Sequence, residues 1–173
     1  SPLPKALHHA ASATISNSTG DSLYVFGGFE GRRSKPSHSA YEYNAQLDSW
    51  IIRTSMPVAR GALAASAFGD LVYVFGGLDM GSVSSRIDVY DPSSDSWLAG
   101  PQMRTPRSHF SVVTLRSLLY VIGGKGLNGG ASLALIEILD PATGGWATTQ
   151  DLGKARSNMG ALALGERLYV AGG

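Results

Sequence analysis

The chain has 173 residues, of which 43% are hydrophobic and 16% charged, with 22 glycines and a formal net charge of +1. This is a globular, turn-rich composition, and a charge so near zero exerts no strong overall pull toward nucleic acid. The absence of cysteine excludes disulfides, thiol nucleophiles and Cys-ligated zinc, and no apolar run approaches the roughly 20 residues of a membrane span.

Taken in chain order, the elements repeat. Leu3-Pro4 opens a pattern that returns as Met56-Pro57, and His8 and His9 follow on a predicted strand. Adjacent strand residues point to opposite faces, so one histidine is expected in the core and the other on the rim. After a long turn around Asn17-Ser18-Thr19-Gly20 comes Tyr24-Val25-Phe26-Gly27-Gly28. That phrase recurs as Tyr73-Val74-Phe75-Gly76-Gly77, Tyr120-Val121-Ile122-Gly123-Gly124 and Tyr169-Val170-Ala171-Gly172-Gly173, at intervals of 49, 47 and 49 residues. A period of this size marks stacked structural units.

Within each unit four short strands are predicted. Strand a is small and apolar, over 63–68, 110–115 and 160–164, and ends in a turn at Gly69-Asp70, Arg116-Ser117 or Gly165-Glu166. Strand b is the Tyr-Val phrase, whose β-branched and aromatic residues suit a pleated, buried surface. A b–c loop follows, longest in the first copy at 29–39, then strand c over 87–90 and 136–139 with alternating polarity. Tight Asp-Pro turns at Asp91-Pro92 and Asp140-Pro141 lead into strand d, which carries Trp50, Trp97 or Trp146 seven residues after Tyr43, Tyr90 or Leu139. Each connection to the next unit holds Met56…Arg60, Met103…Arg107 or Leu152…Arg156, while Leu7 occupies the Arg position of the first copy. The first copy also has Glu42 at a position that is apolar in the others. The reading is an all-β meander whose sheets bury their second faces by packing on one another. The paired glycines let strand b end close to a neighbouring backbone at φ > 0.

Together, Met…Arg, the small apolar strand, Tyr-Val-Phe-Gly-Gly, Ile-Asp-Val-Tyr-Asp-Pro and Trp resemble the kelch repeat over the whole chain. The resemblance implies a kelch-type β-propeller of four-stranded antiparallel blades. Residues 3–55, 56–102 and 103–151 would form three blades and residues 152–173 the first two strands of a fourth. About three and a half blades cannot close a ring, so a fragment of a larger propeller is expected, with blade faces left open.

In an up-and-down meander the b–c and d–a connections share one face. Lys5, Arg32, Arg33, Lys35, Arg53, Arg60, Arg86, Arg104, Arg107, Lys125, Lys154 and Arg156, 12 of the 14 basic residues, lie on or near it. Of the acids, Glu30, Asp79 and Asp151 join them, while Asp21, Asp48, Asp70, Asp91, Asp95, Asp140 and Glu166 lie on the other face with Arg116 and Arg167. The resemblance implies that the b–c/d–a face binds the partner, expected to be an acidic protein or peptide and neither nucleic acid nor membrane. Binding is sought in residues that differ between repeats. These are Phe29, Arg32, Arg33 and Lys35 of the first b–c loop, Leu78, Lys125 and Asn128 of the others, and His9, His109 and Asn158 two residues past the recurring Arg position. Arg60, Arg107 and Arg156 recur in register and read as blade-building or binding residues, with Asp88, Glu137 or backbone carbonyls as partners.

No catalytic residues, metal ligands or cofactor site are expected. The four histidines show no metal-ligand spacing, and no Gly-x-Ser-x-Gly turn is present. A binding module, such as the substrate-recognition part of a ubiquitin ligase adaptor in the cytoplasm, is therefore the leading expectation. The alternatives are a carbohydrate-active kelch enzyme, galactose-oxidase-like or sialic acid mutarotase-like, with its site partly in other blades, and a secreted or cell-surface propeller glycosylated at Asn17-Ser18-Thr19.

Overall fold

A computed structural model describes residues 1–17, 20–32, 34–127 and 130–173, with Asn17 described by its backbone alone. The sequon side chains, Arg33 and Asn128 therefore lie outside the described residues. The named regular elements among the described residues are all strands.

Blade 1 is built from β2 (Ala11–Asn17), β3 (Gly20–Phe26), β6 (Ala40–Asn44) and β7 (Ser49–Arg53). Ahead of it β1 (Leu7–His8) pairs with β4 (Phe29–Glu30), which pairs in turn with β5 (Lys35–Pro36). The predicted loop 29–39 is thus partly a small hairpin. Blade 2 comprises β8 (Ala64–Phe68), β9 (Leu71–Phe75), β12 (Ile87–Asp91) and β13 (Ser96–Ala99), with the hairpin β10 (Leu78–Asp79) and β11 (Ser82–Val83) inserted. Blade 3 comprises β14 (Ser111–Leu115), β15 (Leu118–Ile122), β16 (Ile136–Asp140) and β17 (Gly145–Thr148); β18 (Met159–Leu164) and β19 (Arg167–Gly172) follow as strands a and b of blade 4. Every pairing within the blades is antiparallel and joins neighbours in the a-b-c-d order.

Three apolar cores lie between successive blades. Ala11, Ala13, Ile15, Tyr24 and Phe26 of blade 1 meet Ala65, Ala67, Val72, Val74 and Tyr90 of blade 2. Ala64, Tyr73, Phe75, Ile87 and Val89 on the other side of blade 2 meet Val112, Leu119, Val121 and Leu139 of blade 3. Val113, Ile122 and Ile136 meet Ala161, Ala163, Leu168 and Val170 of blade 4. The period-2 alternation of each strand puts one set of side chains into each interface, and small residues on strand a let the innermost strands come close.

The glycine pair makes that approach possible. A Cβ on Gly27, Gly76 or Gly123 would lie 2.5, 2.6 or 2.7 Å from the carbonyl oxygen of Arg60, Arg107 or Arg156 in the next blade. The second glycine, at φ of 96 to 99°, donates its N–H to that same carbonyl at 2.9, 3.0 and 2.8 Å in Gly28, Gly77 and Gly124. Any side chain at the first position would push neighbouring blades apart.

Candidate functional site

The recurring arginines lie beneath the b–c/d–a face. Arg60 and Arg107 are 0% exposed. Arg60 donates through Nη1 to the carbonyls of Gly76 (2.7 Å) and Arg86 (3.2 Å) and through Nη2 to Asp88. Arg107 repeats the arrangement with Gly123 (2.9 Å), Leu135 (3.2 Å) and Glu137 (2.5 Å). Each arginine therefore binds the previous blade with its backbone carbonyl and its own strands b and c with its guanidinium. These two side chains are unavailable to a partner. Half-buried Arg156 donates to the carbonyl of Gly172 at 2.8 Å.

The count of basic residues on the face is corrected accordingly. Besides Arg60 and Arg107, Lys5 pairs with Glu30 (3.1 Å), Arg53 with Glu42 (2.5 Å) and Arg86 with Asp88 (2.6 Å). The pairings of Arg60 with Asp88 and of Arg107 with Glu137 are those the sequence offered, whereas those of Lys5, Arg53 and Arg86 were not read from it. Of the remaining cations, Arg32, Lys35, Arg104 and Lys154 are exposed and Lys125 and Arg156 half-buried.

The residues two past the recurring arginine share one backbone conformation. His9, Ala62, His109 and Asn158 have φ of 53, 52, 54 and 56°, a region uncommon for residues other than glycine. They are joined in series: Ala62 N–H donates to His9 C=O, His109 N–H to Ala62 C=O and Asn158 N–H to His109 C=O, each at 2.9 Å. Four blades thus place one side chain each on a connected inner rim, and those side chains are of three kinds: His, Ala, His and Asn. The strand expectation for the histidines is corrected by the same feature. The left-handed turn at His9 breaks the alternation, so both rings are exposed and their Nδ1 atoms lie 2.8 Å apart.

The residue after each glycine pair lies beside this rim. Phe29 pairs with His8, Leu78 with Gly61 and Lys125 with Ser108. The Phe29 ring lies 5.5 Å from that of His8 and 6.2 Å from that of His9, and His9 lies 5.3 Å from His109, with only the small methyl group of Ala62 at the rim position between them in chain order. Gly61 leaves room for this, since a Cβ there would sit 2.4 Å from the Phe29 ring. Burial, the nearby His9 and Lys125 together hold the His109 imidazole below its usual range.

Outward from Phe29, the b–c loops of blades 1 and 2 enclose a groove of about 440 Å³, lined by Phe29, Ser34, Lys35, Pro36, Leu78, Met80 and Gly81. Phe29, Lys35 and Leu78 were found in the sequence because they differ between repeats. Ser34, Pro36 and Met80 were missed, although the Asp79-Met80-Gly81 tripeptide carries a turn signal. Arg32 lies exposed next to this wall, whereas His109, Lys125 and Asn158 belong to the inner rim. No group of three or more His, Cys, Asp or Glu able to hold a metal occurs among the described residues.

Comparison with known proteins agrees with this architecture. The family model for the KLHDC2/KLHL20/DRC7 Kelch-repeats domain matches residues 1–173. Kelch-like protein terF of Aspergillus terreus is 29% identical over 136 residues, covering 72% of this chain and 29% of that protein. Kelch-like protein 35 of Mus musculus is 30% identical over 128 residues, covering 74% of this chain and 21% of that protein. The chain thus spans less than a third of either relative. A solved structure of YjhT superimposes with a TM-score of 0.81 at 16% identity, over 96% of this chain and 57% of that one, a likeness of fold. The repeated glycine pairs, the buried Arg–carboxylate pairs and the four-stranded sheets are accounted for together: this chain belongs to the kelch-repeat family and forms part of a kelch β-propeller.

Proposed function

We propose that this chain is a protein-interaction module that receives an acidic protein or peptide segment on its b–c/d–a face, as the substrate-recognition part of a ubiquitin ligase adaptor in the cytoplasm. One observation carries the reading. A repeated, hydrogen-bonded backbone holds side chains of three different kinds, His9, Ala62, His109 and Asn158, on a rim beside an apolar groove. A rigid scaffold with variable side chains at one edge is the arrangement of a recognition surface. The exposed cations Arg32, Lys35, Arg104 and Lys154 on this side favour an acidic partner through faster encounter and charge-assisted hydrogen bonds.

Selection of a displayed library of random dodecapeptides on the full chain tests this. Enriched peptides should be rich in Asp and Glu, and should bind less tightly as salt rises. The Arg32→Glu/Lys35→Glu variant should weaken them about tenfold or more, while Arg116→Glu on the opposite face leaves them unchanged. Salt-independent binding, or equal loss in both variants, contradicts the reading.

A further inference from the structure

Met80 breaks the rules of its own turn. It links β10 and β11 as the first residue of a two-residue hairpin loop, Met80-Gly81, with φ of 45 and 92°. Positive φ at both positions is the geometry in which Asn-Gly, Asp-Gly and Gly-Gly are preferred. A methionine gains nothing from that backbone, and here it is 89% exposed. It therefore suits neither the turn nor the solvent. Residues that violate local preference without a compensating contact in the folded chain mark functional positions.

What Met80 does contact is the groove. The walls around it, Phe29, Pro36 and Leu78, are apolar, and Lys35 stands on the lip with Arg32 exposed nearby. The nearest carboxylate of the first loop, Glu30, is already occupied: it accepts from Lys5 at 3.1 Å and from Ser37 at 2.9 Å. The groove thus offers an apolar floor, an adaptable thioether lid and a cationic edge at Lys35, which faces Glu30 across the hairpin while that carboxylate takes its hydrogen bonds from Lys5 and Ser37. Methionine's unbranched side chain can close over differently shaped guests.

We propose that this groove is the anchor site for one large apolar side chain of the bound peptide, with a carboxylate next to it in sequence held by Lys35 and with Met80 folding over the guest. The inference rests on the interaction reading above and adds the chemistry of the occupant: an extended segment with an apolar residue directly beside an acidic one.

Met80→Asn separates docking from structure. Asparagine is favoured in this turn, so the variant should melt at the same temperature as the wild type or higher. The peptides enriched from the dodecapeptide library should pair an apolar residue with an acidic neighbour, and should bind Met80→Asn about tenfold or more weakly. Unchanged affinity for Met80→Asn overturns the anchor. If Arg32→Glu/Lys35→Glu still weakens the same peptides, the interaction reading survives that result. If neither variant matters, both fall. Concentration-dependent self-association in analytical ultracentrifugation that Met80→Asn abolishes would assign the groove to a second copy of this chain and overturn the peptide occupant.

Discussion

Arg107 and Glu137 are tied into blade 3 so completely that neither can be removed alone without leaving an uncompensated buried charge. Replacing Arg107 with Met should cost about 3–5 kcal/mol in urea denaturation. Blade 1 shows the alternative. There Leu7 stands at the arginine position, and Tyr41 stands at the carboxylate position by its pairing with Val25, as Asp88 pairs with Val74. Both charges have been exchanged together, as the cost of burying one alone demands. Arg107→Leu/Glu137→Tyr should therefore destabilise less than Arg107→Met. His109 provides a pH signature. Its imidazole is held below the ordinary histidine range, so the unfolded chain takes up a proton before the folded one. Its contribution to stability is then complete above about pH 6.5 and is lost as pH falls through the lower folded value. His109→Asn keeps a residue tolerant of left-handed φ, as Asn158 already is in blade 4. The variant should show a smaller drop in urea midpoint between about pH 7 and pH 5 than the wild type; an equal drop would contradict the assignment.

Among the elements, the turn between strands c and d shows how one blade grips the link before it. In blade 2, Asp95 accepts from the Tyr90 hydroxyl (2.6 Å) and the Thr54 N–H (2.9 Å), and Trp97 Nε1 donates to the Thr54 carbonyl at 2.8 Å. Blade 3 has dismantled this clamp as a set. Leu139 has no hydroxyl, Gly144 no carboxylate, and Pro101, at the place of Thr54, no N–H; Trp146 Nε1 has no partner among the described residues. Asp95→Ala should cost about 1–3 kcal/mol. Gly144→Asp should lower the urea-unfolding free energy by about 1 kcal/mol, because no donor awaits the new carboxylate and the position has a φ of 70°, where a side chain is strained. Strand order, turns and the Tyr/Trp register were legible because each rests on a local pattern repeated at fixed spacing. The insertion of β4, β5, β10 and β11 was not, since two-residue strands carry no periodicity. The left-handed rim was equally hidden: His, Ala, His and Asn share no side-chain chemistry, and only the inter-blade hydrogen bonds reveal that they hold one conformation.

For the whole molecule, three apolar interfaces stack the blades, and the outer face of blade 4 leaves Leu162, Leu164 and Tyr169 exposed where the corresponding faces of blades 1–3 are covered. The acidic turns and the b–c/d–a loops lie on opposite sides, as the meander requires. How many of the cations point outward depended on pairings across strands that linear order does not display. That is why the basic character of the b–c/d–a face came out overstated, while its place in the fold relied only on topology. The central claim is that non-repeated residues on this face bind a peptide. It is tested most directly by hydrogen–deuterium exchange of the full chain with and without a dodecapeptide selected on it. The account predicts slowed exchange at residues 29–36, 78–83 and around His109 and Lys125, with the turns at 44–48, 91–95 and 140–144 unaffected. Slowed exchange at those c–d turns, with the b–c loops unchanged, would contradict it.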